Sequence, residues 1–448
     1  MGVFVPNWLF VGLVYITPLS VFLLVYFARR KKHNSRSVKA LDTAITDGLT
    51  EAASLHPVID PSACIGCGSC ISACPEKNVL GLIDRKAELI NPSNCIGHGA
   101  CKESCPEQAI KLVFGSATRG VEIPDVKENY ETCVNGVFIA GELGGMGLIR
   151  NAMEQGRQAL DSVAKYVTKV ASSNTQALDC VIVGSGPAGL SATLGAKEHG
   201  LKSITIDQET IGGTIAHFPK GKLVMTQAAT LPLVGKVMFG EIRKEPLMQF
   251  WNETIDKYSL KIQPDETLLS VEKNSDGMHK VTTSKSEYIA KSVLLAIGRR
   301  GSPRKLGVPG EELSKVIYRL VDPEQLKEKC VLVVGGGDSA IEAACSIADL
   351  NSSDDKQPKV SLSYRKDSFG RAKAKNRQRV EDLTASGQLR VLFSSQVKRF
   401  TDEYAVLTLN DKDFKMKNDA VIVCAGGILP TKLLKDIGVK VETKYGTE

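Results

Sequence analysis

The sequence predicts an α/β protein with two doubly wound domains, a small cysteine-rich α+β domain and one amino-terminal transmembrane helix. Three observations support this fold class: two segments in which an apolar strand, a glycine-rich turn and a helical pattern follow one another, two closely spaced cysteine runs, and an uncharged stretch near the amino end. The chain of 448 residues is long enough for several domains at roughly 100–200 residues each.

The charge balance does not favour a nucleic-acid-binding protein. The formal net charge is +7, but six cations precede the first acidic residue, Asp42, so the rest of the chain is close to neutral. These cations are Arg29, Arg30, Lys31, Lys32, Arg36 and Lys39. We therefore expect no nucleic-acid partner.

Residues 2–28 contain no charged side chain, and the cationic run begins directly after them at Arg29. About 20 apolar residues cross the core of a bilayer, and cations flank the cytoplasmic side of a span. We expect a transmembrane anchor over residues 1–30, a basic tether over residues 31–56, and the bulk of the chain on the cytoplasmic side of the cytoplasmic membrane. A cleaved signal peptide is the alternative, although its charges would precede a shorter apolar segment.

Seven of the twelve cysteines lie between Cys64 and Cys105, in two runs that share the spacing C-x2-C-x2-C-x3-C-P. The first run holds Cys64, Cys67, Cys70 and Cys74, and the second holds Cys95, His98, Cys101 and Cys105. This spacing is typical of iron–sulfur clusters, because a tight loop directs three thiolates to one cube and the fourth reaches the neighbouring cube. Zinc is the alternative, but it requires four ligands per site, usually from separate pairs.

Residues 57–115 resemble the two-cluster bacterial ferredoxins. The resemblance implies two 4Fe–4S clusters, the first on Cys64, Cys67, Cys70 and Cys105, and the second on Cys74, Cys95 and Cys101. His98 stands where the family has its remaining cysteine. Either this histidine ligates the second cluster and raises its reduction potential, or three cysteines hold a 3Fe–4S cluster without it.

The first glycine-rich segment, residues 178–196, contains a strand, the turn Gly184-x-Gly186-x-x-Gly189 and a helical pattern, in the order of a dinucleotide-binding fingerprint. The first glycine permits the tight turn, the second lets a pyrophosphate approach, and the third lets the helix pack on the strand. Asp207 ends the next strand, where a carboxylate binds a ribose hydroxyl.

A second fingerprint begins at residue 331, with Gly335, Gly337 and Ala340 at the three positions. Its next strand ends in Arg365 and Lys366 instead of an acid. Arg371 follows close behind. Cations at this place suit a 2′-phosphate, so NADPH is preferred to NADH. The surrounding run of basic residues also has two other interpretations, a solvated helix face and a docking surface for an acidic protein.

Two Rossmann-like units in this order resemble the thioredoxin-reductase-like flavoprotein family. The resemblance implies an FAD domain at residues 178–300, an inserted NAD(P) domain at residues 301–420 and a return to the FAD domain at residues 421–448. It also implies that Gly212 and Gly213 approach the FAD.

The family's last flavin-binding element does not follow the return segment, but a similar element lies upstream at residues 116–177. Gly141 and Glu142 occupy its strand end, with Glu142 at the position of the family's acid. We therefore infer a circular permutation, in which this segment completes the FAD domain. A homodimer that donates the segment in trans and an accidental similarity are the alternatives.

No C-x-x-C dithiol opens the second Rossmann-like unit, where Cys330 stands alone. The dithiol exchange of a thioredoxin reductase is therefore not expected. His217 and Pro219 are candidates for lining the flavin pocket, and we assign no general acid or base.

Together these features predict a membrane-anchored, FAD- and iron–sulfur-dependent NAD(P)H oxidoreductase. Electrons pass from NADPH through FAD to the clusters, and on to a protein carrier or a quinone- or cytochrome-bearing membrane partner. The alternatives are reduction of NADP⁺ by a low-potential donor, reduction of a small organic substrate with the ferredoxin as input, and a membrane-bound redox sensor or relay subunit without enzymatic activity.

Overall fold

The computed structural model divides the chain into two units, Met1–Ala117 with Gly446–Glu448, and Thr118–Tyr445. It describes residues 7–46, 52, 55–76, 78–95, 97, 99–116, 120–145, 147–170, 175–218, 220–225, 228–238, 242–274, 276–299, 301–320, 322–351, 358–370, 372–409 and 411–447. The predictions for His98, Arg371 and Pro219 fall outside these residues.

The first unit consists of one long helix and a small α+β body. Its elements are α1 (Asn7–Thr46), β1 (His56–Ile59), α2 (Ser69–Ala73), β2 (Leu80–Ile83), β3 (Lys86–Leu89), α3 (Ala100–Glu103) and β4 (Ile110–Val113), with a 3-10 turn at Pro92–Asn94. Strand β1 pairs antiparallel with β4, and β2 pairs antiparallel with β3. Beyond β4, Phe114 forms an antiparallel bridge with Thr447.

Helix α1 continues through much of the segment predicted to be a tether. Its later part is packed, since Ser37 is 7% and Ala44 is 1% exposed. A Cβ at Gly81 of β2 would lie 2.5 Å from the Ser37 Oγ, and the Asp84 N–H donates to the Asn34 Oδ1 at 2.8 Å. Residues 31–46 are therefore an ordered helix against the α+β body. The sequence pattern missed it because only one narrow face is buried.

Among the helices in the part of the chain that the structure describes, none has a run of residues apolar and long enough to cross a membrane. The transmembrane anchor predicted for residues 1–30 is therefore not supported. The described helix does not end at the cationic run but continues through it to Thr46.

The second unit begins with the elements around the first glycine fingerprint. They are β5 (Val121–Pro124), β6 (Val137–Ile139), α4 (Ile149–Val167), β7 (Leu178–Val183), α5 (Pro187–Glu198), β8 (Ser203–Ile206), β9 (Leu223–Met225), β10 (Ala229–Leu231), β11 (Gly235–Val237), β12 (Ile242–Arg243), α6 (Lys244–Tyr258), β13 (Ile262–Gln263), β14 (Leu268–Lys273), β15 (His279–Thr283), β16 (Glu287–Leu295) and β17 (Ser302–Pro303). Two 3-10 turns lie at Gly141–Gly144 and Gly213–His217.

The remaining elements surround the second fingerprint and return to the first. They are β18 (Val316–Ile317), β19 (Val331–Val334), α7 (Asp338–Ala348), β20 (Val360–Ser363), α8 (Ala374–Ala385), β21 (Leu389–Leu392), β22 (Ser395–Phe400), β23 (Tyr404–Leu409), β24 (Lys412–Lys417), β25 (Ala420–Val423), β26 (Gly427–Ile428), α9 (Thr431–Ile437) and β27 (Val441–Lys444), with a 3-10 turn at Pro323–Leu326.

The first sheet of this unit has the order β13-β8-β7-β16-β15-β14, and β6 pairs with the end of β16. Strands β13, β8, β7, β16 and β6 are parallel neighbours. The side chains of β7 alternate between the two faces of the sheet. Val181 and Val183 pack on one face, while Cys180 and Ile182 pack on the other, beside α4 and α5. Both faces are covered, as is typical of a parallel sheet. The predicted α/β fold is confirmed.

The upstream segment lies in this same sheet. Strand β6 pairs with β16 in the register Val137↔Val293. Helix α4 packs closely on α5, because a Cβ at Gly156 would lie 2.1 Å from the Ala188 carbonyl oxygen. Strand β5 pairs antiparallel with β27, so these two distant parts of the sequence form one ribbon.

The second sheet has the order β18-β25-β19-β20-β21, and all its strands are parallel. Its central strand β19 is fully buried at Val331, Leu332 and Val333. A separate antiparallel sheet of β22, β23 and β24 follows it in the chain.

We predict that Gly156→Ala destabilises the protein, because the added methyl group meets a backbone oxygen that has no room to move aside. Overpacking of this kind costs about 1–3 kcal/mol. Alanine is itself favoured over glycine inside a helix by about 1 kcal/mol, so a net loss isolates the packing effect. The measurement is the free energy of unfolding in urea.

Gly144→Ala is the matched control, because a Cβ at Gly144 has no atom within 4 Å. A Gly156→Ala protein as stable as the wild type would show that α4 and α5 do not pack in this way.

Candidate functional site

A cavity of about 440 Å³ lies at the carboxyl ends of the parallel strands in the first sheet of the second unit. Its lining includes Gly184 after β7, Asp207 after β8, Ala296 after β16 and Glu142 after β6. The carboxyl edge is where open α/β sheets bind their ligands. The return segment also contributes, through Ile428.

The three fingerprint glycines have the geometry that a dinucleotide turn requires. Gly184 has φ +104°, and a Cβ there would lie 2.4 Å from the Ala296 carbonyl oxygen. A Cβ at Gly189 would lie 1.7 Å from the Gly184 carbonyl oxygen, so α5 packs directly on the turn. At Gly186 the nearest atom to a Cβ is the Gly213 Cα at 4.0 Å. The open space is thus at the position predicted for the pyrophosphate.

Asp207 is more involved with the protein than the sequence suggested. Its Oδ2 accepts hydrogen bonds from the Ser185 N–H at 2.6 Å and the Ser185 Oγ at 2.8 Å, and its Oδ1 accepts one from the Glu209 N–H at 2.9 Å. Only 7% of Asp207 is exposed. Its carboxylate therefore holds the glycine turn in place, a role that the sequence analysis did not assign. The ribose contact stays a prediction.

The upstream segment contributes one side of the cavity. Gly141, Glu142 and Ile149 all line it, and Gly141 has φ +82°. The Gly141 N–H donates to the Gln155 Oε1 at 2.9 Å, which ties the turn to α4. The amino end of this 19-residue helix faces the cavity, and helix amino ends stabilise negative charge.

Gly212 and Gly213 lie close to the first fingerprint turn. A Cβ at Gly213 would be 2.9 Å from the Gly186 Cα, so the two turns come close to each other. The Gly212 N–H donates to the Ser185 carbonyl oxygen at 3.1 Å. Gly213 lines the cavity and Gly212 does not, and the approach of both glycines to the FAD stays a prediction.

The same cavity contains a charged cluster of Glu209, His217 and Arg319, which the sequence analysis did not assemble. The Glu209 Oε2 lies 2.7 Å from the His217 Nε2. The Arg319 guanidinium donates to both carboxylate oxygens of Glu209, at 2.5 and 3.1 Å. Arg319 follows β18, far from Glu209 in the sequence, so no local pattern could join them.

The second fingerprint has a similar turn. Gly335 has φ +147°, and its N–H donates to the Ser363 carbonyl oxygen at 2.9 Å. A Cβ at Gly337 has no atom within 4 Å, which leaves room for a phosphate. Ala340 is fully buried where α7 meets the sheet.

Arg365 and Lys366 lie two and three residues beyond the end of β20, and both are exposed. Further along the basic run, Arg379 pairs with Asp349, and the Lys373 N–H donates to the Asp338 Oδ1. Part of the basic run is therefore structural. The binding of a phosphate by Arg365 and Lys366 stays a prediction.

The structure groups the cysteines of the first unit around two small cavities. One is lined by Cys64, Cys67, Cys70 and Cys105, and the other by Cys74, Cys95 and Cys101. These are the two ligand sets implied by the ferredoxin resemblance, including the exchange of the fourth cysteine between the runs. Among the described residues, no three metal-binding side chains converge on a point that holds a single ion.

Left-handed glycines shape both cysteine loops. Gly66 and Gly68 have φ +70° and +79°, and Gly97 and Gly99, at the matching positions of the second run, have φ +79° and +80°. A Cβ at Gly66 would lie 1.9 Å from the Arg85 carbonyl oxygen. The glycines at matching positions of the two runs thus share the same left-handed conformation.

Burial disfavours the thiolate form of several of these cysteines. It raises the pKa of Cys101 to about 11 and also raises the pKa of Cys95 and Cys70. A hydrogen bond with Ser69 lowers the pKa of Cys67. Because iron binds thiolates, cluster assembly must release protons from the buried cysteines.

These observations define the class of protein. A glycine-turn cavity at the carboxyl edge of a parallel sheet, a second glycine turn with cations soon after the next strand, and two cysteine-lined cavities are the parts of a flavin- and iron–sulfur-dependent pyridine nucleotide oxidoreductase.

Comparison with known proteins agrees with this class. Residues 181–447, more than half of the chain, match the pyridine nucleotide-disulphide oxidoreductase family, and the chain belongs to that family. Residues 56–106 match the 4Fe-4S dicluster domain. The prediction that the chain is an FAD- and iron–sulfur-dependent NAD(P)H oxidoreductase is confirmed.

The chain is similar to two characterised reductases. It is 25% identical over 272 residues to bacilliredoxin reductase Bdr of Bacillus subtilis, and the matched region covers 59% of this chain and 82% of that protein. It is 29% identical over 191 residues to ferredoxin–NADP reductase of Ignicoccus hospitalis, covering 43% of this chain and 57% of that protein.

Among solved structures, bacillithiol disulfide reductase Bdr (YpdA) from Staphylococcus aureus has a TM-score of 0.50 and 23% identity, over 59% of this chain and 81% of that one. This similarity supports the shared fold.

We predict that Gly186→Val yields a folded protein that does not retain flavin. The new side chain meets little of the protein but fills the space left for the pyrophosphate. Flavin absorbance after purification and a fluorescence titration with FAD measure the loss, while far-UV circular dichroism checks the fold.

The comparison is with wild-type protein stripped of its flavin, since bound FAD itself stabilises the fold. Normal flavin content in Gly186→Val would place the cofactor elsewhere.

Proposed function

We propose that the chain transfers electrons from NADPH through FAD to two 4Fe–4S clusters, and from them to a separate electron carrier. The observation that supports this proposal best is the presence of a flavin-type cavity and two cysteine-lined cavities on one chain. None of the described residues that line the flavin-type cavity is a cysteine. Electron transfer to clusters therefore fits the site better than dithiol exchange.

The residues of the cavity would bind and orient the flavin. Backbone N–H groups at the start of α5 face the open space at Gly186 and suit a diphosphate. Glu142 and the amino end of α4 line the same cavity and would also contact the bound flavin nucleotide. Bound FAD accepts a hydride as an electron pair and releases the electrons one at a time.

The ferredoxin-like domain is the proposed first acceptor. The Ignicoccus relative is named for ferredoxin and NADP, and in this chain a 4Fe-4S dicluster domain is covalently attached. A built-in ferredoxin removes the need for the flavin to find a carrier by diffusion. The clusters would then pass electrons to a further protein or to a quinone- or cytochrome-bearing membrane partner.

The test is an anaerobic titration of the purified holoenzyme with NADPH, followed by absorbance and EPR. We expect the flavin to bleach and reduced-cluster signals to appear as NADPH is added. Reduced flavin with clusters that stay oxidised at equilibrium would contradict this direction. It would favour the alternative, in which the clusters deliver electrons from a low-potential donor to NADP⁺.

We predict that Arg365→Ala raises the KM for NADPH about tenfold or more and leaves the KM for NADH nearly unchanged. Loss of a charge-assisted phosphate contact costs about 1.5–3 kcal/mol, and NADH lacks the 2′-phosphate. Steady-state kinetics with an artificial acceptor provide the measurement.

Lys375→Ala is the control, because Lys375 is also basic and exposed but lies on α8 and not at the strand end. An equal increase in the KM for NADPH and for NADH would contradict the assignment of Arg365 to the 2′-phosphate.

The location at the cytoplasmic membrane stays a proposal. Its support is the exposed apolar surface of α1, where Tyr15, Phe22 and Leu24 are 72%, 66% and 70% exposed, followed by the cations at 29–32. Apolar surface beside cations suits anionic lipid.

We predict that the double variant Phe22→Glu, Leu24→Glu moves the protein from the membrane fraction to the soluble fraction. Ile45→Glu is the control, since Ile45 is 55% exposed on the same helix but lies beyond the cations. Immunoblots of fractionated cells measure the distribution. An unchanged distribution in the double variant would exclude a role for this surface.

A further inference from the structure

We propose that His217 and Glu209 carry away the proton released by the reduced flavin, and that Arg319 is the positioning residue that holds Glu209 for this task. The inference rests on the proposed function, in which a two-electron donor feeds one-electron acceptors.

The need for such a group follows from the balance of the reaction. NADPH and FAD give NADP⁺ and FADH⁻, so the flavin receives two electrons and one proton as a hydride. Two oxidised clusters then take one electron each and no proton. FADH⁻ returns to FAD only when its proton also leaves, and one base per turnover must accept it.

The three side chains lie at a suitable place, since all line the flavin-type cavity. His217 ends the 3-10 turn that begins at Gly213, the glycine that approaches the fingerprint turn. Glu209 follows β8, and its N–H donates to the Asp207 Oδ1. Both members of the pair are therefore fixed to the elements that hold the dinucleotide.

Side-chain exposure increases along the proposed path. The His217 side chain is 18% exposed, and the Glu209 side chain, 2.7 Å away, is 37% exposed. A proton taken by the half-buried imidazole can pass to a carboxylate that meets water. Imidazole titrates near neutral pH, which suits a group that must accept and release a proton in each cycle.

Arg319 fixes the carboxylate in this arrangement. Its guanidinium contacts both oxygens of Glu209 and is itself only 16% exposed. A two-point contact holds a carboxylate in one orientation, which lysine cannot reproduce. Arg319 thus acts through Glu209, because it holds the Glu209 Oε2 beside the His217 Nε2.

Other charged groups surround the pair, and most have structural partners. Lys244, at the start of α6, donates to the Phe218 carbonyl oxygen at 2.7 Å, and Glu245 accepts from the Gly221 N–H. Lys222 lies 4.8 Å from the Phe218 ring and pairs with Glu342. Of the other acids in the cavity, Asp207 binds Ser185, and Glu266 binds Thr283 and Tyr288. Glu142 lies on the upstream segment.

The first variant is His217→Gln in the holoenzyme, because glutamine keeps hydrogen-bonding capacity but does not titrate. Stopped-flow absorbance separates flavin reduction by NADPH from flavin reoxidation by the clusters. We expect the reduction rate to stay within about twofold and the reoxidation rate to fall about tenfold or more. Flavin reoxidation in the wild type should also be slower in deuterated water than in ordinary water.

His199→Gln is the matched control, because the His199 Nε2 also contacts a carboxylate, Asp161, at 2.9 Å but does not line the cavity. It should behave as the wild type in both phases. Should His217→Gln lose its flavin, Glu209→Gln provides the second test and should slow the same phase.

An equilibrium measurement separates this inference from the proposed function. We expect the plot of flavin midpoint potential against pH, from about pH 5 to about pH 8, to have a different shape in His217→Gln than in the wild type. This plot does not require electron transfer to the clusters. It therefore tests the histidine even if the NADPH titration fails to reduce them.

Arg319 is tested by its pH profile. Arg319→Gln should shift the pH dependence of flavin reoxidation, and Arg319→Lys should restore only part of the wild-type profile. If His217→Gln matches the wild type in both the reoxidation rate and the shape of the potential plot, the inference is overturned. The three side chains would then form a cluster with a purely structural role within the second unit.

Discussion

The contact between α4 and α5 is the constraint on which the flavin-type cavity depends. Gly156 lets the two helices meet at backbone distance, with the Ala188 carbonyl oxygen in the space that a side chain would fill. This contact and the pairing of β6 with β16 hold the upstream segment in the sheet of the first fingerprint. Without them Gly141, Glu142 and the amino end of α4 would not line the cavity.

The antiparallel pairing of β5 with β27 shows how the fold accommodates its unusual order. The two strands come from distant parts of the sequence, yet they form an antiparallel ribbon, which is usually made by two strands that are consecutive in the chain. This pairing is a contact of long sequence separation, and the entropy of closing the intervening loop slows the folding of such topologies.

Backbone conformation, more than side-chain chemistry, shapes the cofactor sites. The dinucleotide turns use a glycine with positive φ followed by a glycine with open space, and the cysteine loops repeat left-handed glycines at matching positions. Charged side chains then have separate tasks. Asp207 holds the first fingerprint turn through hydrogen bonds, and Glu209, His217 and Arg319 line the same cavity.

The sequence by itself determined the local chemistry: the fingerprint turns and the α/β class, because each depends on residues close together in the chain. The two cysteine sets were implied by the resemblance to the two-cluster ferredoxins, because each set takes one cysteine from the other run. Its prediction of a transmembrane anchor is not supported by the described helix, and the tether over residues 31–46 is a packed helix. The charged cluster could be recognised only in the tertiary structure, because Glu209 and Arg319 follow two strands that are far apart in the chain. The tertiary structure also decided the internal role of Asp207, since a carboxylate's partners depend on which backbone N–H groups the fold brings beside it.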